Sequence, residues 1–456
     1  MKRRLTGRET VVISSMLFGM FFGAGNMIFP AMLGVEAGRN VGFAFIGLFI
    51  TAVGLPLLAV AALGLSRSSS LMEMSQRGGK GFGRLFSILL YLTIGPLFAI
   101  PRCAGTPFSI WAVALSPSIP RPIALAVFSF LFFAIVLLFS LYPGRIMDWI
   151  GKFLNPLFLL LLGVLVVVAL VRPITPVSLS LPNGEYGTPL LSFLEGFLDG
   201  YNTLDALAGL AFGIVVVDAV RSTGIEEPSC IASSTVKSGV FSCLLMGIVY
   251  LLLSIVTAQS SAICQDCQNG SEVLGTIASY YFGDAGTWLL FAIVTLACLK
   301  TSIGLVTSCS EAFRSMFPNG PSYRTWSIVF AIVSFLIANL GLTTIVSYCV
   351  PVLMFLYPVA IVLIILSLCS RFFSHRRAVY TATLAFTVFE ALFDFAYAVC
   401  TIVPQDGRAF GVFWSISSIA FRIFPLFSVG LGWLLPAAVG LVVGLLLSRN
   451  EKPALC

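Results

Sequence analysis

The sequence predicts an all-α protein that crosses a membrane about twelve times. Of its 456 residues, 58% are hydrophobic and only 10% are charged, whereas about a quarter of the residues in a soluble protein carry a charge. Its apolar runs are continuous over about twenty residues, the length that a helix needs to cross a hydrocarbon core of about 30 Å. A membrane β-barrel would instead alternate apolar and polar residues in segments of about ten.

Twelve apolar segments are long enough to be spans, and the loops between them are too short to form a core of their own. We therefore expect a single transmembrane domain over residues 1–456. The predicted spans cover residues 10–33, 41–65, 85–110, 122–142, 147–171, 190–217, 238–258, 279–311, 326–340, 343–367, 379–403 and 426–447.

The positive charges predict the orientation. Nineteen of the 26 Lys and Arg residues fall on the side of the two termini, and five fall on the other side. Because cytoplasmic loops are rich in these residues, we expect cytoplasmic termini and a location in the cell inner membrane. The net charge of +7 then requires no nucleic-acid partner, and nothing in the sequence indicates an obligatory protein partner.

The first span contains the stretch FGMFFGAGNMIFP, residues 18–30. Gly23, Gly25, Asn26 and Pro30 are poor residues for a helix interior. A single glycine would be explained by close helix packing, but this combination predicts a break in the helix. Unpaired backbone groups in hydrocarbon are costly, so such a break must be buried in protein or line a cavity.

The sixth span contains LEGFLDGYNTLDALAGLAFG, residues 194–213, in which Asp199 and Asp205 flank GYNT. Asp199 is either a wetted residue near the outer end or part of a site, and Asp205 either forms a salt bridge between helices or marks a site. Each broken span opens a group of five spans, an odd number, which predicts inverted halves at about 10–172 and 190–368 with two extra helices at 379–447. Paired interrupted helices in inverted halves are typical of secondary transporters.

Other polar residues also fall within predicted spans. Lys300 lies mid-span and should face the interior, where it either pairs with a carboxylate or serves a site. Arg102 follows two prolines in GPLFAIPRCAGTPF (95–108), which we interpret as a kinked helix without assigning a role to the arginine. Glu390 and Asp394 lie four residues apart on one helical face; we expect a structural role, although such a pair could relay protons.

Enzyme and channel functions fit the sequence poorly. We find no His cluster, metal motif, nucleophile elbow or filter sequence, and His375 is the single histidine. The pair Cys264 and Cys267 in a predicted outer loop is either a disulfide or a coincidence. Broken helix ends supply free N–H groups for a carboxylate and free carbonyl groups for an ammonium, so the two breaks suit a zwitterion.

Four stretches resemble the branched-chain amino acid:cation symporters, the BrnQ-type or LIVCS family, over nearly the whole chain. They are FGMFFGAGNMIFP, ITAVGLPLLAVAALG (50–64), GPLFAIPR (95–102) and GYNTLDALAGLAFG (200–213). The resemblance implies a LeuT-like fold with a five-plus-five inverted repeat and broken helices 1 and 6. It also implies import of leucine, isoleucine and valine by symport with a cation, through alternating access.

The resemblance further implies two groups of site residues. The substrate would be bound at the two breaks by Gly23, Ala24, Gly25, Asn26, Tyr201, Asn202, Thr203 and Asp205. A coupling ion would lie between helices 1 and 8, at Gly19, Phe22, Ala297, Lys300 and Thr301.

Lys300 leaves the coupling ion open between Na⁺ and H⁺, and no other cofactor is expected. A lysine ammonium at this position would repel Na⁺ and could take its place, and burial favours the neutral form of a lysine, which makes a protonation cycle possible. The alternative function is an H⁺-coupled or Na⁺-independent carrier of other apolar amino acids such as methionine.

Overall fold

A computed structural model describes residues 5–66, 70–116, 118–141, 155–225, 227–405 and 407–450. The start of the predicted span 147–171 lies outside these residues. So do several cations of the charge count, namely Lys2, Arg3, Arg4, Arg67, Arg145, Lys152 and Lys452.

The described chain is built from α-helices joined by short turns, which we number in chain order. They are α1 (Gly7–Phe21), α2 (Gly25–Ala37), α3 (Val41–Phe49), α4 (Leu55–Ser66), α5 (Leu71–Ser75), α6 (Lys80–Leu92), α7 (Ala99–Ala112), α8 (Arg121–Ser140), α9 (Asn155–Val171), α10 (Pro189–Asn202), α11 (Asp205–Ser222), α12 (Pro228–Gln259), α13 (Gly270–Met316), α14 (Tyr323–Ala338), α15 (Leu342–Leu368), α16 (Arg377–Cys400), α17 (Arg408–Ile423) and α18 (Leu434–Leu447).

The all-helical prediction is confirmed, and each predicted span overlaps at least one of these helices. Seven described helical segments are long and apolar enough to cross a bilayer, and α14 and α18 are shorter apolar helices. Large apolar side chains such as Phe130, Leu131 and Leu336 are exposed on the outside of the bundle. A surface of this kind fits hydrocarbon rather than water.

Helix α17 was not predicted, because we expected a loop between the last two spans. Arg408 and Arg422 at its ends and the serines 415, 417 and 418 interrupt its apolar pattern. Only Ser417 and Ala420 of this helix are buried, and Trp414 and Ile419 are exposed. It is therefore an amphipathic helix on the surface of the bundle, packed along α16.

Both predicted helix breaks are confirmed. Helix α1 ends at Phe21, and α2 begins at Gly25 after an extended Phe22. Helix α10 ends at Asn202, and α11 begins at Asp205 after Leu204 adopts the left-handed conformation with φ of 65°. That conformation costs a non-glycine residue about 1–2 kcal/mol, so the surrounding packing must hold the second break in place.

The third span is kinked, as predicted. Residues Thr93–Leu97 form a π-helical turn in which Gly95 leaves the helical conformation. This turn separates α6 from α7 and redirects the chain, so that α7 packs along α13.

Helix packing brings the two breaks together. Helix α2 packs against α12, α10 against α3, and α11 against both α4 and α1. Glycines allow the closest approaches: an added Cβ at Gly47 would overlap the Phe193 carbonyl oxygen, and one at Gly196 would overlap the Ala44 carbonyl oxygen. Small residues at such crossings are typical of packing between membrane helices.

We expect Gly47→Leu to lower the thermal unfolding midpoint, because a larger side chain would force α3 and α10 apart. Overpacking of this kind typically costs about 1–3 kcal/mol. Gly42→Leu on the same helix is the control, since nothing lies within 4 Å of a Cβ added there. Equal midpoints for the two purified variants would contradict the packing that we describe.

Candidate functional site between the two broken helices

The two breaks are joined by a hydrogen-bond network between Asn26 and Asp205. Asn26 Oδ1 accepts a hydrogen bond from the Gly23 N–H (2.7 Å), and Asn26 Nδ2 donates to both Asp205 oxygens (2.8 and 2.9 Å). The Tyr250 hydroxyl on α12 also donates to Asp205 Oδ2 (2.6 Å) and contacts the Asn26 amide. All three side chains are buried, so one side-chain network fixes the distance between the two breaks.

The position of Asp205 explains how the bundle accommodates a buried carboxylate. It is the first residue of α11, where the partial positive charge of a helix N-terminus stabilises an anion. Its own N–H donates to the Thr203 hydroxyl (3.4 Å). Arg102 on α7 interacts with it electrostatically, so the negative charge is compensated without a directly bound cation.

Arg102 binds the C-terminal end of α10 and lies in the protein interior near Asp205. Its Nη1 donates to the Asn202 carbonyl oxygen (2.9 Å), one of the carbonyl groups that a helix C-terminus leaves free. The guanidinium also lies 5.4 Å from the centre of the Phe29 ring, in a cation–π contact. The side chain is buried, yet its Nε has no hydrogen-bond partner in the described structure.

Thr301 joins the first break to the eighth span. Its hydroxyl donates to the carbonyl oxygens of Phe22 (3.3 Å) and Ala297 (3.2 Å). A Cβ at Gly23 would lie only 2.9 Å from Thr301 Cγ2, so the close approach requires glycine at position 23. Two carbonyl groups and a hydroxyl therefore converge where the family resemblance implied a coupling ion.

A cavity of about 40 Å³ lies between the breaks, comparable to the volume of about one water molecule in the liquid. Backbone and polar side chains of the two breaks form one part of its wall. Apolar side chains form the other part, and they are Met20, Phe21, Ile94, Ala99, Ala208, Phe212 and Leu305.

The predicted site residues fall into two groups in the structure. Those that line the cavity are Gly23, Ala24, Gly25, Asn26, Thr203, Asp205 and Thr301. Those outside the lining are Gly19, Phe22, Tyr201, Asn202, Ala297 and Lys300.

Three residues of the second group, Phe22, Asn202 and Ala297, still contribute carbonyl groups at the edge of the site. Lys300 is half-buried beside Thr301 and interacts with Cys298. Tyr201 points the other way and stacks on Tyr357, with ring centres 4.2 Å apart.

Sequence reasoning did not identify Tyr250 or the contact of Arg102 with Asn202. The only signal for Tyr250 is one hydroxyl within an apolar run, which is common in membrane helices. Arg102 was noticed as an intramembrane cation, but its partner lies 100 residues away in the chain, a pairing that no local pattern indicates.

Comparison with known proteins identifies the family. The family model described as branched-chain amino acid transport protein matches residues 6–451. This chain belongs to that family. It is 47% identical to the branched-chain amino acid permease BrnQ of Lactobacillus delbrueckii subsp. lactis, over 96% of each chain. It is 39% identical to the permease BrnQ of Bacillus subtilis, over 98% of each chain.

Solved structures support the fold of this family member. The nucleobase-cation-symport-1 family transporter Mhp1, in a closed conformation with bromovinylhydantoin bound, matches with a TM-score of 0.57 at 15% identity, covering 97% of this chain and 91% of that chain. The manganese transporter of Eremococcus coleocola matches with a TM-score of 0.59 at 11% identity, covering 97% of each chain. The fold is therefore that of the LeuT-like transporters, and the protein is a multi-pass membrane transport protein rather than an enzyme.

We expect Asn26→Ala and Tyr250→Phe each to lower the free energy of unfolding by about 1–3 kcal/mol, because each leaves buried Asp205 with fewer donors. The double variant should show a coupling of at least about 0.5 kcal/mol, since both residues serve one carboxylate. Tyr280→Phe is the control, because Tyr280 is 58% exposed. Strictly additive losses in denaturant titrations would show that the network does not act as a unit.

Proposed function

We propose that this protein imports leucine, isoleucine and valine across the cytoplasmic membrane by cation-coupled symport, with alternating access to the site between the breaks. Three relatives that match over nearly their full length are named branched-chain amino acid permeases. The observation that carries the proposal is the cavity, whose wall is polar at the two helix breaks and apolar opposite them.

The polar wall offers partners for both charges of an amino acid. The substrate carboxylate would bind backbone N–H groups at the start of α2, at Ala24 and Gly25 and, in exchange for its bond to Asn26 Oδ1, at Gly23, with the Arg102 guanidinium nearby. The substrate ammonium would bind the carbonyl groups that end α10 and the Asp205 carboxylate. This polarity follows from the partial charges at helix ends.

The apolar wall favours an aliphatic side chain. Ile94, Phe212 and Leu305 present hydrocarbon without a polar group, so a charged or amide side chain would lose its hydration there without compensation. A cavity of about 40 Å³ is smaller than a leucine side chain, and binding therefore requires these residues to move apart. The alternative substrate is another flexible apolar amino acid such as methionine.

We propose H⁺ rather than Na⁺ as the coupling ion. The Thr301 hydroxyl and the carbonyl groups of Phe22 and Ala297 are ligands that Na⁺ could use, but Lys300 is adjacent and a nearby ammonium disfavours a second cation. We also propose that both termini are cytoplasmic, because most Lys and Arg residues fall on their side of the membrane. The loop between α12 and α13 would then lie outside the cell.

The substrate proposal is tested by uptake of labelled leucine into vesicles that contain the purified protein. We expect saturable uptake that unlabelled isoleucine and valine inhibit and that glutamate and lysine do not. Uptake without saturation, or equal inhibition by all four amino acids, would contradict the proposal. Protein-free vesicles provide the control.

The ion proposal is tested by Lys300→Thr. We expect uptake by the unmodified protein to persist without Na⁺ and to increase with an inward H⁺ gradient. The variant should become Na⁺-dependent by at least about tenfold, because a hydroxyl replaces the competing cation next to Thr301. Strict Na⁺ dependence of the unmodified protein would refute our interpretation of Lys300.

Two half-buried cysteines test the orientation. Cys267 lies in the α12–α13 loop and Cys369 in the α15–α16 loop, which the topology places on opposite sides. A hydrogen bond from the Cys264 thiol lowers the pKa of Cys267 to about 7, so its thiolate forms, and its labelling accelerates, as pH rises through that value. Both Cys264 and Cys267 are free thiols in the structure.

We expect a membrane-impermeant maleimide to label Cys267 in intact cells and Cys369 only after permeabilisation. The variants Cys267→Ser and Cys369→Ser assign each label to its residue. The reverse pattern would place the termini outside.

A further inference from the structure

A second polar cluster lies outside the cavity, on the penultimate predicted span. Glu390 and Asp394 are one turn apart on α16 and are 0% and 5% exposed. This helix packs between α15 and α18. The pair is therefore enclosed by protein, on a helix that both sequence and resemblance placed outside the two inverted halves.

The carboxyl oxygens of this pair are poorly partnered. Both oxygens of Glu390 and Oδ2 of Asp394 are buried without a hydrogen-bond donor in the described structure. The two carboxyl groups are close enough to hydrogen bond to each other. That bond requires a proton on one of them, because ionised carboxylates can only accept.

Two further buried groups belong to the same cluster and also lack hydrogen-bond partners within the described part of the chain. The Tyr201 hydroxyl interacts electrostatically with Asp394 and Glu390 and lies near the Trp433 indole. Tyr201 is 1% and Trp433 is 5% exposed, and neither polar atom is hydrogen bonded. Beside Trp433, Gly432 approaches so closely that an added Cβ would overlap Glu390 Oε1.

Among the residues that the structure describes, no cation is in electrostatic contact with the pair. Within the described residues, the groups in electrostatic contact with the pair are the two carboxyls themselves and Tyr201. On the neighbouring helix α15, Tyr357 stacks on Tyr201, and on α16 itself Tyr397 contacts Phe421 and Phe427. Arg377, at the start of α16, is thirteen residues from Glu390, about 20 Å along the helix.

These facts favour a proton over a metal ion as the ligand. Two ionised carboxylates without a cation would repel each other and lose their hydration, whereas one shared proton removes half of the charge and supplies the missing donor. Na⁺ would need several further oxygen ligands, but Tyr201 and Trp433 offer hydrogen-bond donors instead. Such donors suit a carboxyl pair with one negative charge.

The cluster is connected to the site by Tyr201. This residue stacks on Tyr357 and immediately precedes Asn202, whose carbonyl oxygen accepts the bond from Arg102. A change in the charge of the pair therefore acts on the last turn of α10, the helix end that borders the cavity.

We propose that Glu390 and Asp394 form a proton-binding site that shares one proton in one transport state and releases it in another, and that Tyr201 couples this change to the broken helix. The inference rests on the proposed function, which it deepens by assigning the coupling proton to residues outside the inverted halves. No bond other than O–H forms or breaks: the proton moves between the pair and water.

The first test uses Glu390→Gln and Asp394→Asn in vesicles. Leucine accumulation driven by an inward H⁺ gradient should fall at least about tenfold, while leucine exchange without a gradient stays within about threefold, because exchange requires no net proton movement. Glu272→Gln, the same change in the first turn of α13, where the Glu272 carboxylate accepts from the Gln268 N–H, is the control. Unchanged accumulation in both variants, with a loss in Lys300→Thr, would overturn the assignment and favour Lys300 as the proton carrier.

The second test needs no transport activity. Infrared difference spectra of the lipid-reconstituted protein between acidic and alkaline pH should show a buried carboxylic acid band that both amide variants weaken relative to the unmodified protein, while the contribution of buried Asp205 remains. A band of unchanged intensity in both variants would overturn the proposal even if they fold poorly in the uptake assay. If the unmodified protein neither transports nor exchanges leucine, the proposed function fails, and the infrared result still decides whether the pair binds a proton.

Tyr201→Phe distinguishes a proton site from a purely structural cluster. In the proposal, the Tyr201 hydroxyl donates to the pair once the proton has left, so its removal should shift the midpoint of the infrared titration upward by about one pH unit. The ring and its stacking on Tyr357 are kept. An unchanged midpoint would contradict the coupling through Tyr201.

Discussion

The hydrogen bonds between Asn26 and Asp205 are the interaction on which the rest of the site depends. Each helix break exposes backbone groups that hydrocarbon cannot satisfy, and neither break would be tolerated alone. These hydrogen bonds join the start of α2 to the start of α11, so that the two breaks lie against each other. The cavity, the approach of Thr301 to Gly23 and the position of Arg102 all follow from that juxtaposition.

The charges around the cavity are balanced across separate helices. A helix N-terminus, Tyr250 and Asn26 stabilise the Asp205 carboxylate, and the Arg102 guanidinium is held by a helix C-terminus and the Phe29 ring. The two charges are near each other without direct contact. A zwitterion presents the same two charges on one small molecule, so the wall of the cavity is complementary to it while remaining neutral.

The sequence predicted the parts of the fold that depend on local composition. Glycines next to Asn26 and the acidic GYNT segment located both breaks, because helix propensity is a property of short stretches. It did not predict the partners of Arg102, Tyr250 or Tyr201, which are distant in the chain and are decided by packing. Helix α17 was missed for another reason: its two arginines and three serines give it the composition of a loop.

The contact between Tyr201 and the final helices bears on whether the first ten predicted spans depend on the last two. The buried Tyr201 hydroxyl lies beside the α16 carboxyl pair and Trp433, and Gly430 lies close to Leu198 of α10. Without these elements, this face of the broken helix α10 would lose its cover. The predicted ten-span core is therefore not independent of the final helices. The last two predicted spans help to bury it. Removing them would change the electrostatic environment of the proposed substrate site, although they contribute no residue to that site.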